Sequence, residues 1–247
     1  MDAERRALWE QTARFVEAVK AAGEANGLPY IAAQSDLGDP EPMCDADGRP
    51  YAETSFRWFG PFDQYWRNRR LALDSPFLNA ARMIAEPFYF ADGRLHSWRA
   101  TRLLDDFDCT QVTRLSGITA AIITPVHLPR GIIGTMVWAS PTTMDIAHVF
   151  TNQAEHLHAL ALRLIASHAE AAGRPRNAAA PAALTRREVQ CLRWAAAGKT
   201  DGEIGIILSL SISTVRFHLR NASAKLGATG RAQAIQAAAG LGFVGAR

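Results

Sequence analysis

The chain has 247 residues, nearly half of them apolar, with 27 Lys and Arg against 24 Asp and Glu, enough for one sizeable core and a small second one. No run of about 18 apolar residues occurs, and Met1-Asp2-Ala3-Glu4-Arg5-Arg6 lacks the basic-then-apolar layout of a secretion signal, so a soluble cytoplasmic protein without membrane contact is expected. Cys44, Cys109 and Cys191 form no C-x-x-C pair and read as ordinary reduced thiols.

Charge is unevenly divided. Residues 184–247 hold nine Lys and Arg and three Asp and Glu, so the remainder is net acidic. A small basic module on a larger acidic one is the footprint of a nucleic-acid reader joined to a domain with another task.

In chain order, the periodicity predicts a helix over 3–26, with Leu8, Phe15, Val16 and Val19 on one face and Gly27-Leu28-Pro29 as its stop. Strand-like runs follow at 28–33, 117–126 and 132–139. The last two are joined by the hairpin signal Pro129-Arg130-Gly131. Helical segments are expected near 61–84 and 101–113, a mobile loop over 37–50, and a long helix over 143–169 carrying Ile146, Val149, Phe150, Leu157, Leu160, Leu164 and Ile165. Helices flanking an antiparallel sheet give an α/β/α sandwich of the PAS or GAF kind, which often encloses a small-molecule pocket. Residues 171–183, with two prolines and no large apolar anchor, read as a linker. The domains expected are thus 1–170 and 184–247, an α+β chain ending in an all-α module.

That module carries strong local signals. Thr185 precedes Glu188 by three residues and Thr200 precedes Glu203 by three, two capping boxes that start helices, with Gly198 between them as a left-handed stop. Ser211 can cap a third helix whose residues Ile212, Val215, Leu219, Ala222 and Leu226 recur at helical spacing and should pack inward. Ser213, Thr214, Arg216, Phe217, Arg220, Asn221 and Lys225 are left outside, with Arg216 and Arg220 on one face. A short turn followed by a helix with outward arginines suits a major groove.

These residues, L-T-x-R-E at 184–188, E-I at 203–204, S-x-S-T-V-R-F-H-L-R-N at 211–221 and K-L-G at 225–227, resemble the four-helix LuxR/FixJ DNA-binding domain. The resemblance implies that Thr214, Arg216, His218 and Lys225 lie near phosphates, with Thr200 in the same interface, and that Ser213, Arg220 or Asn221 reach bases. It also implies a homodimer on a two-fold related double-stranded DNA site, with the last helix at the dimer contact. The sequence departs from the family at Ser209, where a glycine is usual and a left-handed backbone is implied, and at Gly205, where alanine is usual.

The first domain resembles the acyl-homoserine-lactone-binding domain of quorum-sensing regulators in Phe62-x-x-x-Trp66, Ser75-Pro76, Glu86-Pro87-Phe88-Tyr89-Phe90 and Gly117 through Pro125. At the family's polar pocket positions this register holds Phe62, Trp66, Ser75, Phe90 and Ala121. The loss of a carboxylate and of ring donors argues against a standard lactone. A register slipped by one would instead offer Tyr65 and Asp74, with Trp98 supplying a second Trp if 91–97 form an inserted hairpin.

Three readings of this domain stay open: a receptor for a different small apolar effector or, in the slipped register, for a lactone; a ligand-independent dimerisation scaffold; and an enzyme or metal domain. His156 and His158 lie on different faces of a helix, and no nucleophile elbow, phosphate loop or paired-carboxylate motif occurs, so neither catalysis nor a cofactor nor a metal is expected.

Overall fold

The computed structural model describes residues 3–58, 73–173 and 183–245, which form two compact units. The first opens with α1 (Ala3–Ala25), then β1 (Tyr30–Gln34) and a short α2 (Tyr51–Thr54). Next come α3 (Pro76–Met83), β2 (Phe88–Ala91), β3 (Arg94–His96), α4 (Arg102–Asp105) and α5 (Val112–Ser116). It ends with β4 (Ala120–Leu128), β5 (Ile132–Ser140) and α6 (Ile146–Ala171).

The five strands make one antiparallel sheet of order β1-β5-β4-β2-β3. Alternation along the strands feeds two cores. Ile122, Met136 and Trp138 point to the face covered by α1 and α6, while Ala121, Ile123, Val137 and Ala139 point to the face covered by the short helices. The middle strands β4 and β5 are therefore buried on both sides and read as nearly continuous apolar runs. Between α1 and α6 the hydroxyls of Thr12 and Ser167 meet at 2.7 Å, both buried.

Several expectations are corrected. Residues 101–113 form two short helices, because Asp108 Oδ1 accepts the Thr110 amide and turns the chain between them. Strands β2 and β3 were not foreseen as a pair, although Asp92-Gly93, both at positive φ, is a two-residue hairpin turn. Residues 37–50 are a loop, but one pinned to the core. Met43 is buried and its carbonyl accepts the Tyr51 amide, His168 Nε2 lies 3.0 Å from the Cys44 carbonyl, and Asp45 accepts two loop amides. Of the segment expected over 61–84, residues up to 72 lie outside the described residues, as does most of the expected linker.

The second unit consists of α7 (Arg186–Ala196), α8 (Asp201–Leu208), α9 (Ile212–Lys225) and α10 (Arg231–Gly240). Both capping boxes are formed, at Thr185 with Glu188 and at Thr200 with Glu203. Gly198 is left-handed at φ 80°. Cys191, Ile204 and Val215 join α7, α8 and α9, and Leu192, Ala222, Ala234 and Ala238 join α7, α9 and α10. Ile212 departs from the expected inward stripe. It sits in the first turn of α9, where no helix covers it, and is 49% exposed.

Candidate nucleic-acid interface and apolar cavity

The turn from α8 into α9 sets how α9 is presented. Ser209 ends α8 in the left-handed region at φ 54° and ψ 49°, and the Leu210 amide reaches back 2.8 Å to the Gly205 carbonyl. The Leu210 carbonyl passes so close to Gly205 that a Cβ there would lie 2.7 Å from its oxygen. Ser211 then caps α9, its Oγ accepting the Thr214 amide at 3.1 Å and lying 2.8 Å from both the Ser213 and Thr214 hydroxyls.

With Val215 and Ala222 buried, α9 leaves Ser213, Arg216, Phe217 and Arg220 exposed and Thr214, His218 and Asn221 half-buried. Thr200, at the start of α8, is exposed and tied to Glu203, whose carboxyl its backbone and hydroxyl hold below the ordinary value. Arg216 Nε lies 3.2 Å from Asp201 Oδ2, and Arg231 pairs with the other oxygen of the same carboxylate. Among the described residues no ion pair holds Arg220. The Asp201 pairings join three helices, so no local pattern in the sequence disclosed them.

Lys225 stands apart. Its ammonium donates to both oxygens of Glu188, at 3.0 and 2.9 Å, and to the Ala183 carbonyl at 3.1 Å, which engages all three of its protons inside the unit. The expectation that it faces phosphate is corrected on this ground.

In the first unit a cavity of about 250 Å³ lies between the β1-β5 end of the sheet and the short-helix layer. Ala32, Thr135 and Val137 form its floor; Phe77, Val112 and Leu115 wall it; Trp58, Asp74 and Ser75 complete the lining with Gln34 and Ser116. Its surface is overwhelmingly apolar, and no described residue lining it is cationic.

Of the residues expected to bind a ligand, Asp74 and Ser75 line this cavity. Phe90 and Ala121 are cross-strand partners on the same face of the sheet, but they belong to the closed core, Phe90 lying 5.3 Å from the Phe77 ring. Trp98 lies on the other face, 5.2 Å from the ring of Phe150, because the hairpin before it ends there. Phe62, Tyr65 and Trp66 lie outside the described residues. Thr135, Val137, Leu115 and Ser116 were not anticipated. They come from separate elements that only the folded sheet brings together.

Residues 182–238 match the family described as bacterial regulatory proteins of the luxR family. The chain is 40% identical over 132 residues to the transcriptional activator protein VanR of Vibrio anguillarum, covering 53% of this chain and 54% of that protein. It is 54% identical over 61 residues to the quorum sensing-dependent transcriptional regulator VjbR of Brucella abortus, covering 25% and 24% of the two chains. The chain thus spans about half of VanR and a quarter of VjbR. A solved structure of SdiA in complex with octanoyl-rac-glycerol aligns over 99% of this chain and 97% of its own, at 19% identity and a TM-score of 0.47. The matched segment, its four helices, its two capping boxes and its presented α9 agree: the second unit of this chain is a LuxR-family helix-turn-helix DNA-binding domain.

Proposed function

We propose that the whole chain is a cytoplasmic, homodimeric, sequence-specific transcriptional regulator of quorum-sensing type. Its first domain (1–170) binds a small apolar effector, and its last (184–247) reads a two-fold related DNA site. The observation that carries the DNA reading is the presentation of α9, docked through Val215 and Ala222 with Arg216 and Arg220 four residues apart on its exposed face.

In this reading Arg216, Thr200, Thr214 and His218 face phosphates, while Ser213, Arg220 and Asn221 face base edges. Lys225 is not among the contacts, for the reason given above. The last helix, α10, forms the dimer contact. The chain catalyses nothing and acts by occupancy of DNA.

The effector reading rests on the cavity, whose apolar lining with a few polar groups has the character of a small-molecule site. The same cavity weighs against a ligand-independent scaffold, since a domain serving only dimerisation gains nothing from an unfilled interior.

The test is fluorescence anisotropy of the purified chain on duplexes selected from a random pool. One enriched two-fold symmetric sequence, bound at least 1000-fold more tightly than random duplex and with a steep salt dependence, is the expected result. Equal binding to all duplexes would overturn the sequence-specific reading.

A further inference from the structure

Inside the cavity the polar groups are unequally committed. Gln34 donates from Nε2 to the Asp39 and Glu41 carbonyls and accepts the Ser35 amide on Oε1. Ser116 Oγ donates to the Val112 carbonyl at 2.7 Å and accepts the Ile118 amide at 3.3 Å. Both side chains line the cavity while their polar atoms are engaged with the protein.

Thr135 is different. It is 2% exposed, sits on the floor of the cavity on the same strand face as Val137, and its Oγ1 has no hydrogen-bond partner. A buried hydroxyl without a partner is costly and rare in folded proteins. Here it is at the one place where an incoming molecule could supply the partner. The remaining charged lining group is the carboxylate of Asp74. With a carboxylate at the site and no cation among the described lining residues, an anionic molecule would be buried uncompensated.

We infer that Thr135 is the polar anchor of this cavity and that its ligand is a neutral, mainly apolar molecule whose single oxygen accepts the Thr135 hydroxyl proton. This rests on the effector reading above and narrows it to uncharged carbonyl, ether or alcohol compounds small enough for about 250 Å³, at the low end of small-molecule sites.

Three probes of matched shape separate the possibilities in calorimetric titrations of the full chain: 4-phenylbutan-2-one, its isosteric anion 3-phenylpropanoate, and butylbenzene, which lacks the oxygen. The ketone is expected to bind at least ten-fold more tightly than the carboxylate at neutral pH. Thr135→Val, which keeps the shape and removes the hydroxyl, should weaken the ketone about 3- to 10-fold and leave butylbenzene unchanged or tighter. Without any probe, Thr135→Val should leave the melting temperature unchanged or raise it by about 2–4 °C.

A fall in the melting temperature would mean that the hydroxyl is bonded within the protein, and would overturn the anchor. Equal effects of Thr135→Val on ketone and hydrocarbon would also overturn it while leaving an effector cavity in place. Carboxylate binding as tight as ketone binding would overturn the neutral class. If the wild-type chain binds DNA but none of the three probes, both the anchor and the effector reading fall.

Discussion

The Lys225 ammonium lies 2.9 Å from Glu188 Oε2, a carboxylate whose side chain is only 4% exposed. The pair ties the end of α9 to the start of α7, where the same carboxylate closes the capping box by accepting the Thr185 amide at 2.7 Å. Burial alone would raise the Glu188 carboxyl, but the bonds from Lys225 and Thr185 outweigh it and hold the group below its ordinary 4.5.

Because the folded value is depressed, the stability from this pair is present in full above the unfolded value. It drains away as pH falls from there through the lower folded value. The second unit should therefore lose stability below about pH 4.5, followed as a pH series of melting curves. Glu188→Gln should flatten that acid limb. Lys225→Met should cost about 2 kcal/mol, since it strands a buried carboxylate, and leave the salt slope of DNA binding unchanged. A slope reduced by about one ion would return Lys225 to the phosphate contacts.

Arg216 and Arg220 share a face but not an environment, and their substitutions should diverge. Arg216→Ala should weaken all duplexes similarly and flatten the salt slope, whereas Arg220→Ala should cost about 1–3 kcal/mol at one base pair and relax specificity there. Asp201, which holds Arg216 and Arg231, orients them but also faces an anionic partner. Asp201→Asn should tighten non-specific binding and lower the ratio of specific to random affinity, both measurable by anisotropy. Identical losses from the two arginine changes would contradict this division.

Ser209 and Gly205 are coupled through the Leu210 carbonyl. Ser209→Gly relieves a left-handed backbone and should stabilise the unit by about 1 kcal/mol. Gly205→Ala sets a Cβ 2.7 Å from a backbone oxygen and should destabilise it by about 1–2 kcal/mol. The double variant should lose less than the sum of the two, because a glycine at 209 lets the turn move away. Strict additivity in a double-mutant cycle would show that the two sites do not communicate.

Thr12 Oγ1 donates to the Leu8 carbonyl at 2.8 Å, which leaves Ser167 to donate across the α1–α6 contact. Thr12→Val should cost about 1–3 kcal/mol by stranding the Ser167 hydroxyl, and adding Ser167→Ala should recover most of it. Urea unfolding midpoints at constant slope would report both.

The second unit was legible because its signals are local. A Thr three residues before a Glu, a left-handed glycine and a serine cap each act within one turn, and Ser209 took the backbone its place in the motif implied. Ile212 was misjudged because helical spacing fixes a face but not what lies against it. In the first unit the helices at both ends and the β4-β5 hairpin could be read, since long periodic runs outweigh local noise. The cavity could not. Thr135, Ser116 and Trp58 meet only after the sheet has formed, and Trp98 went to the other face with the hairpin before it.

The two faces of the sheet are built to different standards of self-sufficiency. One is covered by helices of 23 and 26 residues, the other among the described residues by α3, α4 and α5, of 8, 4 and 5 residues. Segments that short lie far below the length at which a helix sustains itself in water, so they hold their shape only through what they rest on. Backbone amides of α3 and α5 should accordingly exchange with deuterium sooner than those of α1 and α6. A molecule filling the space beneath them would slow that exchange on this face alone, making the short-helix layer the part of the chain that registers occupancy as order.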